Sequence, residues 1–331
     1  MPHELNPSSG GGYSRGAARP REGLSALLLK TSNREMQRRL DRARAFADDD
    51  DAMLVEGESG TGKSAFARYL HSVSPRRNGP LAAVAVSGLP DELVHSSLFG
   101  HRRGAFTGAT HDRPGLCVQA EGGTFFLDEI GKTSPKILPL LLELVEDHRI
   151  LPLGTDLYRN VNCRFISASN VPLATLVERG EFLPDLYQRL IALSVRLPAL
   201  RERREDIPGI FAWLLEHRMQ KKAVLQKTPT VHPELLRLII EDPWPGNIRE
   251  MTSFTSRLVL LYHDLSEFTP DHYFTERDRV VPAVRTDLSG SGSPLARAPR
   301  AGGETNIEAA RRLGIHRSTL YRRKKRIPPD A

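Results

Sequence analysis

Only two cysteines, Cys117 and Cys163, stand in 331 residues, far apart and without metal-ligand spacing. That usage excludes a disulfide framework or a cysteine-based metal site as the organising device, and it suits a reducing compartment. No run of 18 or more apolar residues occurs, and the N-terminus has no signal-peptide core. These absences predict a cytoplasmic protein without a membrane partner. No internal repeat is visible. The net charge of +7 is modest but uneven, because His316 to Arg326 holds six Arg or Lys residues and no acid. Such a block predicts a local polyanion contact.

Residues 1–23 are rich in Gly, Ser, Pro and Arg, and read as a disordered tail. From residue 24 to 200, short apolar runs alternate with helical patterns, the signature of a parallel α/β sheet. The predicted strands are Ala52 to Val55, Leu81 to Val86, Thr124 to Leu127, Arg164 to Ala168 and Ile191 to Leu197. Over residues 201–273 strands give way to helices from Ile207 to Met219, His232 to Glu241 and Asn247 to His263, which predicts a separate helical subdomain. Residues 274–303 read as a flexible linker and 304–331 as a small terminal module. Asp48 to Asp51 read as a solvated loop.

Gly57-Glu58-Ser59-Gly60-Thr61-Gly62-Lys63-Ser64 follows the first predicted strand and precedes an amphipathic helix with Phe66, Tyr69, Leu70 and Val73 on one face. Glycines let backbone N–H groups turn onto phosphate oxygens, with the positive end of the helix behind them. Lys63 then serves the β- and γ-phosphates of ATP, and the Ser64 hydroxyl serves Mg²⁺. Thr124 to Leu127 is continuously apolar, as a strand buried on both faces is, and delivers Asp128 and Glu129 at its end. Asp128 suits Mg²⁺, and Glu129 suits orientation of the attacking water. A lone Asp-Glu pair after a strand is ordinarily surface. The glycine loop upstream is what favours the catalytic reading.

Between the two halves of this site lies Gly104-Ala105-Phe106-Thr107-Gly108-Ala109. Glycines at both ends allow a hinged loop, and a phenylalanine exposed at its tip asks for a partner. A simple flexible turn is the alternative. With this hexapeptide the chain resembles the bacterial sigma-54-dependent activators, enhancer-binding AAA+ ATPases that remodel sigma-54 RNA polymerase. The resemblance covers about 240 residues. It implies an AAA+ P-loop NTPase fold, α/β with a five-stranded parallel sheet and an α-helical lid, working as a homo-oligomeric ring, a hexamer. It also implies that Phe106 and Thr107 contact sigma-54. Ala168-Ser169-Asn170 is similar to the first sensor, where Asn170 reads the γ-phosphate. Trp244 to Glu250 is similar to the second sensor, with Arg249 reaching the nucleotide and Asn247 capping a helix, although Arg249 alone could equally be a surface residue. Leu197 to Ile207 matches the joint between subdomains. Asp185 to Leu190 matches the segment that lends two arginines to a neighbouring subunit.

Here only Arg189 of those two is present, with Leu183 at the other position. Ala85 stands where the family usually has an asparagine that holds the catalytic glutamate, and Ser97 replaces a usual acid. His101 has no ligand companions and reads as structural.

Asn306 to Lys325 resembles a Fis-type helix-turn-helix, with Gly314 at the turn and Leu313, Ile315 and Leu320 packing its all-α core. Its second helix offers Arg317 and Thr319 to the base edges of double-stranded DNA and Arg322, Arg323 and Lys325 to phosphates, with Ser318 also a DNA-binding residue. A basic surface helix is the alternative. The unit is too small for a sizeable core, which predicts dimerisation. About 23 residues before the ATPase cannot build a receiver or sensor domain, so control is expected from a regulatory protein in trans, from expression level or from the ring. Two rival functions remain open: a DNA-binding regulator whose ATPase is weak or silent, and an AAA+ remodeller of another target.

Overall fold

A computed structural model of the protein describes residues 31–86, 90–221 and 229–278. The predicted tail, the linker beyond residue 278 and the helix-turn-helix residues Arg317, Ser318, Thr319, Arg322, Arg323 and Lys325 lie outside the described residues. The chain divides into two units, Met1–Asp206 with Trp244–Arg249, and Ile207–Pro243 with Glu250–Ala331.

The first unit is built on a five-stranded parallel sheet. Its strands are β1 (Met53–Glu56), β2 (Leu81–Ala85), β3 (Thr124–Asp128), β4 (Arg164–Ser169) and β5 (Leu193–Arg196), in the order β2-β3-β4-β1-β5. Thr124 to Leu127 and all of β4 are buried, whereas edge strand β2 is only partly covered. That pattern explains the continuous apolar run of β3, since a central parallel strand is packed on both faces. Arg164, within β4, is fully buried, yet its guanidinium donates to the Ala47 and Phe46 carbonyl oxygens at 2.8 and 2.6 Å. Buried charge is tolerated there because it is hydrogen-bonded.

Helices α1 (Arg34–Ala45), α2 (Lys63–Val73), α3 (Asp91–Phe99), α4 (Leu138–Asp147) and α5 (Pro184–Ile191) accompany the sheet. Asn33 caps α1 by accepting from Met36 N at 2.8 Å, a contact worth about 1 kcal/mol. Phe99, Phe125, Leu127, Leu141, Phe165, Leu186 and Leu190 belong to one core.

One strand limit departs from expectation by two residues. Ile191 was expected to open the fifth strand but ends α5, because Leu186 and Leu190 continue a helical apolar spacing right up to it. Asp50 is exposed like its neighbours but accepts two hydrogen bonds from Arg76, at 2.7 and 2.8 Å.

The second unit contains α6 (Ile207–Lys221), α7 (Pro233–Glu241), most of α8 (Asn247–Tyr262) and α9 (Pro270–Asp278), with a small parallel ladder of Thr230–Val231 against Glu267–Phe268. Helix α9 carries the subdomain past residue 273, where the linker was expected to begin. The charged residues near its end read as linker but are buried in pairs: Arg257 donates to Glu276 at 3.0 Å, and Arg277 pairs with Asp242 and Glu250. No described helix is long and apolar enough to cross a membrane.

Candidate functional site

The glycine loop runs from the end of β1 into α2. Gly57, Gly60 and Gly62 have φ of 150°, 80° and 106°, and a Cβ at Gly60 would lie 2.2 Å from the Gly246 carbonyl oxygen. Only glycine fits such a position without strain. No side chain caps α2 and no acid of its own occupies its first turn, so the positive end of the helix faces the loop.

Lys63 Nζ donates to the Gly57 and Glu58 carbonyl oxygens at 2.7 and 3.0 Å, folding the side chain back over the loop. Burial lowers its pKa, with Asp128 opposing that effect. Ser64 Oγ donates to Asp128 Oδ2 at 2.8 Å, joining the start of α2 to the end of β3. A hydroxyl and a carboxylate side by side form the hard-oxygen donor set that suits Mg²⁺. Strand β4 lies between β1 and β3, so Asn170, one residue beyond it, stands half-buried between the glycine loop and the acidic pair. Glu129 follows Asp128 at a left-handed φ of 60° and pairs with Lys132, Oε1 to Nζ 3.0 Å.

Several supports of this loop were not legible in its motif. Glu58 accepts a two-pronged ion pair from Arg201, NH1 to Oε2 2.7 Å and NH2 to Oε1 2.5 Å, which holds its carboxyl down at about 2. Arg203 is buried and donates to the Thr61 carbonyl at 3.1 Å. Asn247, expected as a helix cap, instead bridges two segments. Its Oδ1 accepts from Leu200 N at 2.7 Å, and its Nδ2 donates to the Ser59 carbonyl at 3.0 Å and to Glu58 at 3.2 Å. Its backbone has a left-handed φ of 52°, unlike the extended backbone of an ordinary N-cap. Arg249 donates to Ser59 Oγ at 2.7 Å, bringing this sequence-remote guanidinium to the glycine loop. The arginines of the Leu197 to Ile207 segment were the available sequence signal.

The hexapeptide stands in a separate loop framed by the antiparallel pair Gly100–His101 and Arg113–Pro114. Gly104 and Gly108 have φ of 85° and 102°, and Gly104 N donates to the Ala109 carbonyl at 2.8 Å, closing the turn. Arg102 and Asp112 clasp its base at 2.5 Å. Phe106 is not exposed as expected. Its ring meets the His101 ring edge-on at 5.0 Å, leaving it half-buried, while Thr107 is exposed, Ala105 half-buried and Ala109 buried. His101 is itself buried and bonded to Ser96 Oγ at 2.7 Å, in keeping with a structural role. Ser97 is exposed on α3.

Arg189 lies on α5, exposed, with Nε donating to Glu146 at 2.6 Å. These two residues, with Asp185 and Gln188, line an open cavity of about 410 Å³. Leu183 packs against the core instead of presenting a cation. Ala85 pairs in register with Asp128 across β2 and β3. Both cysteines are buried free thiols, and burial pushes Cys163 up to about 11.

Residues 29–196 match the sigma-54 interaction domain, and residues 201–278 match the AAA+ ATPase lid domain. The chain belongs to the sigma-54 activator family. The chain is 36% identical over 318 residues to the transcriptional regulatory protein ZraR of Salmonella typhimurium, covering 92% of this chain and 70% of that protein. It is 41% identical over 229 residues to GlrR of Escherichia coli, covering 68% of this chain and half (50%) of that protein. Among solved structures it is similar to NtrX from Brucella abortus in complex with ADP, with a TM-score of 0.69, 25% identity and coverage of 89% of this chain and 68% of that one. The chain is thus an AAA+ protein of a family of transcriptional regulators.

Proposed function

We propose that this chain binds ATP and Mg²⁺ at the C-terminal edge of its sheet, hydrolyses ATP within a ring of identical subunits, and remodels sigma-54 RNA polymerase through the loop carrying Phe106 and Thr107. The observation that carries this reading is the Ser64–Asp128 hydrogen bond of 2.8 Å, which joins two motifs 64 residues apart beside Lys63 and next to Glu129. Lys63 and the loop N–H groups of residues 57–64 hold phosphates, while Ser64 and Asp128 hold the metal. Bound Mg²⁺ supplies charge neutralisation at the phosphates. Glu129 orients the attacking water, Asn170 and Arg249 sense the terminal phosphate, and Arg189 reaches the site of a neighbouring subunit. A hexameric ring satisfies that need for a trans arginine.

Residues 304–331 bind upstream DNA, with Arg317 and Thr319 at base edges, Arg322, Arg323 and Lys325 at phosphates, and Ser318 also at the DNA. The location is cytoplasmic, and a regulatory protein in trans is one route of control. A second reading, a DNA-binding regulator with a weak or silent ATPase, is favoured by Leu183, which packs half-buried against the core where family resemblance leads one to expect an arginine.

Steady-state ATPase and open-complex assays on one preparation test the choice. ATP-dependent opening of a sigma-54 promoter is the expected result. Promoter binding without turnover favours the second reading, and turnover without any effect on sigma-54 polymerase overturns the proposed target. Deleting residues 304–331 is expected to abolish footprinting, and an unchanged footprint places the DNA site elsewhere.

A further inference from the structure

Strand β3 ends at Asp128, and Glu129 then adopts φ 60° and ψ 39°, opening a tight turn over Ile130–Lys132. Two bonds join the ends of that turn: Lys132 N donates to the Glu129 carbonyl at 2.8 Å, and Lys132 Nζ pairs with Glu129 Oε1 at 3.0 Å. The turn is firmly seated. Ile130 is fully buried, and a Cβ at Gly131 would stand 2.9 Å from Ser169 Oγ and 3.0 Å from Leu176 Cδ1. The direction in which Lys132 leaves the backbone is therefore set by packing. On the opposite strand, Ala85 is the residue registered against Asp128, and its methyl group offers no hydrogen bond to a carboxylate.

We propose that Lys132 is a positioning residue that restrains Glu129, holding its carboxylate in an ion pair from which it must be released to orient water. The inference rests on the reading of Glu129 as the water-orienting group. A carboxylate whose oxygen faces an ammonium has part of its negative charge neutralised and one lone pair occupied, which makes it a poorer acceptor for a proton from water. The pair is half-exposed, with side-chain exposures of 46% for Lys132 and 26% for Glu129, so it is weak enough to exchange. It acts as a reversible restraint rather than a lock.

The test compares Lys132→Ala and Lys132→Arg with the wild type in basal ATPase. ATP affinity is measured separately with a fluorescent ATP analogue, in a Glu129→Gln background. Restraint predicts that Lys132→Ala raises basal kcat about 2- to 5-fold, the range such a half-exposed pair can account for. Analogue affinity should stay within about twofold, and Lys132→Arg should restore the low rate. An unchanged or lower kcat in Lys132→Ala overturns the restraint, and a loss of analogue affinity in its place identifies Lys132 as a phosphate contact. If the wild type is inert, turnover gained by Lys132→Ala supports the restraint and continued inertness overturns it. Lys63→Ala is the separate control: wild-type turnover in that variant overturns the reading of the site and the restraint with it.

Discussion

Arg189 and Glu146 form an ion pair within one chain, Nε to Oε1 2.6 Å, although Arg189 is proposed to serve a neighbour. Their side chains are 62% and 32% exposed, which limits the pair to about 0–1 kcal/mol. An arginine held that weakly can leave its own carboxylate for the phosphates of an adjoining subunit, where a trans cation is worth far more. Arg189→Ala is expected to cut turnover at least about 10²-fold while leaving ATP affinity unchanged. Glu146→Ala should raise turnover at subsaturating protein by about twofold, with unfolding stability altered by less than about 1 kcal/mol. ATPase titrated against protein concentration checks both, and full turnover in Arg189→Ala removes the intersubunit role.

Lys63 is buried among loop carbonyls that a bound phosphate would replace as partners. Charged hydrogen bonds of this kind are worth about 1.5–3 kcal/mol, so Lys63→Ala should weaken ATP binding roughly 10- to 100-fold. Glu129→Gln keeps the shape and removes the charge. It should bind ATP normally and lose about 10²-fold or more in kcat. Calorimetric titration beside a phosphate-release assay separates these effects.

The hexapeptide loop is closed on itself and stowed through the contact of Phe106 with His101. That ring contact is worth about 0.5–1.5 kcal/mol, small enough to be exchanged for a partner surface. Phe106→Ala and Thr107→Ala should each leave basal ATPase within about twofold and abolish open-complex formation. Normal promoter opening by either variant rules out the proposed contact.

Glu58 supplies a pH-dependent strut. Its carboxyl is held at about 2, below the ordinary 4.5, first by hydrogen bonds from Arg201 and then by Asn247 against the opposing effect of burial. A depressed native pKa contributes stability that is complete above the unfolded value and lost as pH falls from 4.5 toward 2. Because the two side chains are 41% and 40% exposed, solvent screening limits this contribution to about 1 kcal/mol. Arg201→Ala should therefore be less stable by about 1 kcal/mol at pH 7 and indistinguishable from wild type near pH 2 in urea unfolding.

The order of strand, glycine loop, helix and acidic strand end was legible because each leaves a local signal in the sequence: period, glycine spacing or a continuous apolar run. The strand limits fell within two residues of the structure, the largest shift being at Leu193, where the helix ending at Ile191 shares its apolar composition with the strand that follows. What stayed hidden was pairing at long range. Arg201 to Glu58 and Arg203 to Thr61 span 143 and 142 residues, and no spacing rule connects them. Phe106 was expected outside because its flanking glycines are local, whereas the His101 ring that covers it is positioned by the short strand pair behind the loop.

Asn247 tests whether that hidden scaffold controls nucleotide binding. Its side chain is fully buried, its φ is 52°, and its carboxamide both accepts from Leu200 N and donates to the glycine loop. Asn247→Ala leaves the buried Leu200 N–H without its acceptor, costing about 1–3 kcal/mol, and adds about 1–2 kcal/mol of left-handed backbone strain. Asn247→Gly removes the strain but leaves the same side-chain bonds unmade, so the difference between the two isolates the backbone contribution. Asn247→Asp is the sharper probe. It preserves an acceptor for Leu200 N but replaces the Nδ2 donor with an oxygen facing the Ser59 carbonyl and the Glu58 carboxylate, 3.0 and 3.2 Å away in the native chain. Repulsion there should loosen the glycine loop and weaken ATP binding by about tenfold, equivalent to about 1.4 kcal/mol. Urea unfolding and ATP titration of the three variants check this, and unaltered ATP affinity in Asn247→Asp would show that the loop holds its shape without this strut.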